Sequence, residues 1–263
     1  MQSQRFSEFS ESPLYLERLR FMGVQLASAL LFVALAQAGT LSLTRTDAPG
    51  YLREQVRSGW RQVLLAALGP PRIGLQVGHE GAAQQPAELL HLRGNTGGHA
   101  GSLREVAINR AVARALASQL RAQGVDVDIL SATPPAAYRA DLLLAIHADS
   151  VSDSARSGYK SATFEPPRSW LEPTLKNTID AAYLSATGLA DDSANTTSNM
   201  RDYYAFNFRR YTHSVHPATP ALIVELGYLS SPHDAALLVR PERVADALSG
   251  GVVGFLQRRH RLP

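Results

Sequence analysis

The sequence predicts an α/β fold, a mainly parallel central sheet covered by helices on both faces. Two observations carry this. Short, continuous apolar runs at 73–77 (IGLQV), 142–146 (LLLAI) and 221–226 (ALIVEL) have the length of strands and lack the polar alternation of a strand with one wet face. Between and after them lie longer stretches, 103–123, 170–187 and 241–257, whose apolar residues recur at helical spacing. Buried strands separated by helices form parallel sheets, and in such sheets ligands collect at the carboxyl ends of the strands.

Residues 1–20 read as a cytoplasmic n-region carrying both Arg5 and Glu8, Glu11 and Glu17. The stretch 21–44 contains no charged residue and follows Arg18 and Arg20. About 20 apolar residues span a bilayer, and preceding cations keep that end cytoplasmic. The long mixed-charge start favours an uncleaved membrane anchor. Ala36-Gln37-Ala38 fits a signal-peptide cleavage site instead, and Gly23, Gln25 and Ser28 leave a buried helix open. Residues 45–71 read as a juxtamembrane connector, with Leu52, Val56, Trp60, Val63, Leu64 and Leu68 on one helical face until Gly69-Pro70-Pro71 breaks it.

Residues 72–259 read as a single catalytic domain. The strand at 73–77 runs into Gly78-His79-Glu80-Gly81. The helix at 103–123 stops at Gly124, and a strand is expected at 125–130. The strand at 142–146 leads into His147-Ala148-Asp149, a weaker strand is expected at 159–164, and the helix at 170–187 stops at Gly188. The last strand runs into Glu225-Leu226-Gly227, and a helix at 241–257 closes the domain.

Apolar residues are 45% of the chain, enough for a substantial core, and the net charge of +3 is too small to argue for nucleic acid. Cysteine is absent, so a metal would be held by nitrogen and oxygen donors. Two imidazoles and a carboxylate are a common catalytic zinc set that leaves one position for water. His79, His147 and Glu105 are candidates, with Glu225 as a separate acid/base group whose apolar neighbours raise its pKa. Each has a plainer reading. Either histidine can be a loop residue bonded to backbone. Ser102-x-x-Glu105 fits a capping box, and Glu225 can pair with an arginine. No compact HExxH pattern is present.

Taken together, four segments in order resemble the zinc-dependent N-acetylmuramoyl-L-alanine amidases of bacterial cell-wall turnover. They are Gln76-Val77-Gly78-His79-Glu80-Gly81, Glu105-Val106-Ala107-Ile108-Asn109, the stretch 140–150 (ADLLLAIHADS) and the stretch 220–230 (PALIVELGYLS). The resemblance implies one Zn2+ held by His79, Glu105 and His147, with Glu225 catalytic. It also implies a peptidoglycan substrate, its glycan and stem peptide, and an exported protein at the membrane or beyond it. The family's Asp-Pro before Gly-His is Gln76-Val77 here, and Glu80 replaces a glycine and adds a charge at the turn. The stretch 195–219 is long and rich in aromatic and basic residues. Tyr203, Tyr204, Phe206, Arg209 and Arg210 are expected to line a substrate groove or to pack over the sheet. His91, His99, His213 and His216 receive no role. Alternatives are an inactive peptidoglycan-binding module and a zinc hydrolase of another amide.

Overall fold

The computed structural model describes residues 69–262. The expected anchor or signal segment and the helix before Gly69 lie outside the described residues. No helix among the described residues is long and apolar enough to cross a membrane.

Strand β1 (Arg72–Val77) leads through short helical turns at 82–84 and at 87–92, the latter kinked at Leu89, to a small hairpin, β2 (His99–Ala100) and β3 (Leu103–Arg104). Helix α1 (Glu105–Ala122) follows, then β4 (Asp126–Leu130), β5 (Leu142–Asp149), β6 (Lys160–Ala162) and α2 (Leu171–Thr187). After the short α3 (Ser198–Arg201) come β7 (Ala221–Tyr228), α4 (Pro232–Leu238) and α5 (Pro241–Arg258). The sheet order is β4-β1-β5-β7-β6. All neighbouring strands are parallel except β6, which closes one edge antiparallel to β7. The mainly parallel sheet of the sequence analysis is therefore present, with strands where the apolar runs placed them.

The two faces are covered differently. Alternation along the strands sends Ile73, Leu75 and Val77, Leu142, Leu144 and Ile146, and Leu222, Val224 and Leu226 to one face. There they pack against α1, α2 and α5, whose buried stripes include Val112, Leu116, Leu175, Ile179, Leu248 and Phe255. The opposite face carries Leu143, Ala145, Ala221 and Ile223. It is covered not by long helices but by a mostly irregular layer holding Tyr138, Met200, Tyr203, Ala205, Phe206 and Val215, with only α3 and one more helical turn in it. The expectation of helices on both faces is met unevenly, because the second layer comes from the stretch before β7 that lacks helical periodicity.

A buried ion pair ties this layer to the sheet. Arg168 Nη2 lies 2.6 Å from Glu172 Oε1, and the two side chains are 2% and 0% exposed. Arg168 also donates to the carbonyl of Thr219 (2.9 Å), while Glu172 Oε1 accepts from the amide of Ala221 at the start of β7 (3.3 Å). Every partner is satisfied, which is what makes a buried charge pair tolerable.

Candidate metal and acid/base site

Strand alternation decides which side chains meet. His147 and Glu225 are register partners on β5 and β7. Both point away from the long helices, as do Leu143, Ala145 and Ile223. Lys160 pairs in register with Glu225 from β6 and shares that face. His79 lies just past the carboxyl end of β1, in a left-handed backbone conformation with φ 64°, sparsely populated by residues other than glycine. Such strain at a strand end is a mark of functional turns.

Glu105 is the first residue of α1, and its carboxylate turns inward instead of capping. The residue preceding the helix is Arg104, and no side chain caps the terminus. The capping-box expectation is thereby corrected. Glu105 Oε1 lies 3.0 Å from His147 Nδ1 and 3.4 Å from His79 Nε2. Its Oε2 accepts from the amide of Gly98 (2.6 Å), and Oε1 accepts from the amide of Ala148 (3.3 Å) and from Asn109 Nδ2 (3.3 Å). Asn109, one turn further along α1 and fully buried, also donates to the carbonyl of Gly78 (3.3 Å). The carboxylate sits at a helix N-terminus, where a negative charge is favoured.

Glycine is required at two places around this cluster. A Cβ on Gly78 would lie 2.5 Å from the His147 ring. One on Gly97 would lie 2.5 Å from Glu105 Oε2, and φ of +82° there also disfavours a side chain.

Ligand atoms of His79, Glu105 and His147 all lie within 4.8 Å of one another. The hydrogen-bond partners of the two rings fix their tautomers. His79 Nδ1 faces the carbonyl of Asn95 (3.0 Å), which can only accept, so Nδ1 carries the proton and Nε2 keeps its lone pair toward Glu105. His147 Nε2 faces the hydroxyl of Tyr203 (3.0 Å). That hydroxyl donates to Tyr204 Oη (3.4 Å), which donates to the carbonyl of Ala132 (2.5 Å). The chain ends on an acceptor, so Nε2–H donates into it and Nδ1 also turns a lone pair toward Glu105. Two imidazole lone pairs and a carboxylate oxygen then converge, an arrangement that a divalent cation satisfies and that matches a zinc donor set. Burial alone would lower the His79 pKa, but the Glu105 carboxylate reverses this and raises it. Burial alone would raise the Glu105 pKa, but the two imidazoles outweigh it and hold the carboxyl well below its ordinary range.

Glu225 differs from Glu105 in its surroundings. Its Oε2 is buried with no hydrogen-bond partner among the described residues. Burial, and then the charges of Glu105 and Asp149, push its pKa well above 4.5, with Lys160 opposing. Lys160 is 3% exposed and is held by Asp149 Oδ2 (2.5 Å) and Tyr228 Oη (2.8 Å). A carboxyl whose pKa is raised is a stronger base once ionised, which fits a group that takes a proton and returns it near neutrality.

His79, His147 and Glu225 line one cleft of ≈ 470 Å³ together with Tyr203, Tyr204, Asp149 and Arg210. Of the residues expected in a groove, Tyr203, Tyr204 and Arg210 line it. Phe206 instead lies in the core, and Arg209 is exposed beside Phe208 and outside the cleft. The charge of Glu80 is taken up by Arg110 (3.1 Å). His91 lines the cleft and stacks on Tyr211, and His213 bonds Glu88 (2.7 Å). His216 contacts Arg139, and His99 is exposed in β2. Sequence reasoning missed the Lys160–Asp149 pair and the Glu88–His213 contact, since neither has a sequence signal. Asn109, four residues after Glu105 and so on the same helical face, had one.

The model of the family described as N-acetylmuramoyl-L-alanine amidase matches residues 73–253. Three solved structures are similar along most of their length. They are the amidase Ami1 from Mycobacterium smegmatis (17% identity, 72% of this chain and 98% of that one, TM-score 0.54), the amidase AmiC2 of Nostoc punctiforme (18%, 72% and 99%, 0.53) and an amidase from Clostridium difficile 630 (17%, 72% and 98%, 0.52). At these identities the likeness concerns the fold. None of the curated proteins compared with the chain matches it.

Proposed function

We propose a function from one premise: the chain belongs to the N-acetylmuramoyl-L-alanine amidase family, whose pattern spans residues 73–253 of it. The protein hydrolyses the amide between N-acetylmuramic acid and L-alanine in peptidoglycan. The observation that carries this reading is the convergence of His79, Glu105 and His147 in the cleft into which Glu225 also opens.

His79 would bind Zn2+ through Nε2, His147 through Nδ1 and Glu105 through its carboxylate. When bound, the ion lowers the pKa of a water and polarises the scissile carbonyl. The protein's own groups do the rest. The carbonyl of Asn95 and the Tyr203–Tyr204 pair hold the two rings in their ligating tautomers. Burial keeps the Tyr203 hydroxyl protonated, with the neighbouring Tyr204, Glu105 and Glu225 adding to the shift. Glu225 takes a proton from the attacking water and passes it to the departing alanine nitrogen, which must leave as an amine. Lys160, in register beside it, limits how far its carboxyl is pushed from ionisation.

Export follows from the substrate. The uncharged stretch 21–44 supports an anchor or signal role, placing the domain outside the cytoplasm, at the membrane or secreted. The test is mass analysis of fragments released from purified peptidoglycan. Free stem peptides beginning at L-alanine are expected with zinc, none after chelation, and none from Glu225→Gln although it still binds zinc. Release that survives chelation, or an active Glu225→Gln, overturns the assignment. Zinc binding without any release leaves an inactive binding module, and cleavage of a different amide identifies another hydrolase.

A further inference from the structure

Arg210 is the only arginine or lysine among the described residues that line the cleft. Its guanidinium lies over the Tyr211 ring, 5.2 Å from the centroid, and engages no carboxylate among the described residues. Among the cleft's other charges, Asp149 is held by Lys160 and Asp202 accepts from Asn207 Nδ2 (2.9 Å). Arg210 is thus the permanent cation on the cleft wall, sharing it with the Asp202 carboxylate, which Asn207 bonds but does not neutralise.

The shelf beneath it is fixed from the opposite wall. Tyr211 is buried and stacks on His91, with centroids 6.3 Å apart and planes at 26°. From the same wall as His91, Glu88 accepts from the amides of Thr212 (2.9 Å) and His213 (2.8 Å). A guanidinium held over a fixed ring loses little freedom when an anion docks, and its N–H edge is the part that meets the anion. That edge matches a carboxylate in a two-pronged contact.

We propose that Arg210 is a specificity residue that receives a free carboxylate of the stem peptide, so that the cleft selects acidic stems over amidated ones. This rests on the amidase reading and names which substrates that same site prefers. Neutral atoms of glycan or peptide fill the rest of the cleft, and the contact orients the peptide so that its L-alanine end reaches Glu225.

The test uses two N-acetylmuramoyl peptides identical except for one carboxylate replaced by its carboxamide. Binding to the metal-free protein is measured by calorimetry and hydrolysis of the same pair by the zinc-loaded protein. The acid is expected to bind about 10-fold or more tighter, the scale of one charge-assisted contact. Arg210→Ala should erase the preference and Arg210→Lys should keep part of it. Arg209→Ala, which removes an equal charge outside the cleft, should leave the preference intact. Equal binding of acid and amide by the unaltered protein, or a preference that survives Arg210→Ala, overturns the proposal. A preference in binding without hydrolysis of either peptide upholds it and refutes the amidase reading instead.

Discussion

Replacing Gly78 with alanine tests the site by a single methyl group. Gly78 precedes His79 and has ordinary backbone angles, and its amide donates to the carbonyl of Ile146 (3.0 Å). Alanine can therefore adopt its conformation. The added Cβ would lie 2.5 Å from Cε1, 2.6 Å from Nδ1 and 2.7 Å from Nε2 of His147. Non-bonded atoms of this kind rest at roughly 3.5 Å or beyond, so the ring must move by about 1 Å. Metal ligands tolerate only about ±0.2 Å. Nδ1 is therefore lost as an effective donor, and zinc affinity should fall by on the order of 10- to 100-fold, or about 1.4–2.8 kcal/mol. The metal-free fold should lose only about 1 kcal/mol for the forced rotamer. Competition with a chromophoric chelator measures the first quantity and denaturant unfolding of the metal-free protein the second. Gly250→Ala, where nothing lies within 4 Å of the added carbon, is the control. Zinc affinity unchanged within twofold would refute the placement of His147 Nδ1 in the ligand set.

Three further outcomes follow from the same geometry. Tyr203→Phe removes the hydroxyl that fixes the His147 tautomer and should weaken zinc binding by roughly 10-fold; unchanged affinity in the chelator competition would show that the tyrosine chain does not orient the ring. In the metal-free protein, the raised Glu225 pKa means the folded state holds a proton the unfolded chain has lost. That stabilisation is complete below 4.5 and is lost as pH rises through the raised value. Thermal melts from roughly pH 4 to 8 should therefore show Glu225→Gln gaining stability relative to the unaltered protein as pH rises; a pH-independent difference would mean that Glu225 is ionised in the fold. Arg168→Ala leaves Glu172 buried without its partner and should cost about 3–5 kcal/mol in denaturant unfolding, whereas a loss below 1 kcal/mol would show that the ion pair does not anchor the irregular layer.

Much of the fold was legible because its strands are buried on both faces. Runs such as 142–146 and 221–226 are apolar at every position or nearly so, and no exposed element tolerates that. Helix ends were legible for a local reason as well, since α1 stops just before Gly124, whose φ of 78° few other residues accept. The layer built from 196–219 was not legible. Its buried Tyr203, Phe206 and Val215 follow no repeat, because its backbone hydrogen bonds close irregular turns, such as Tyr211 to Asn207 and Val215 to Ala205, and not a ladder of one period.

The sequence by itself determined the kinds of donor, two imidazoles and two glutamates without any thiol, and set them near strand and helix ends by the chain's periodicity. Only the tertiary structure decided the surroundings that give the two glutamates different chemistry. Glu105 is met by both rings and by backbone amides that stabilise its charge, while Glu225 is buried with an unpartnered oxygen. A carboxylate's chemistry comes from the dipoles and charges around it, and these arrive from residues as distant in the chain as Gly98, Ala148 and Lys160.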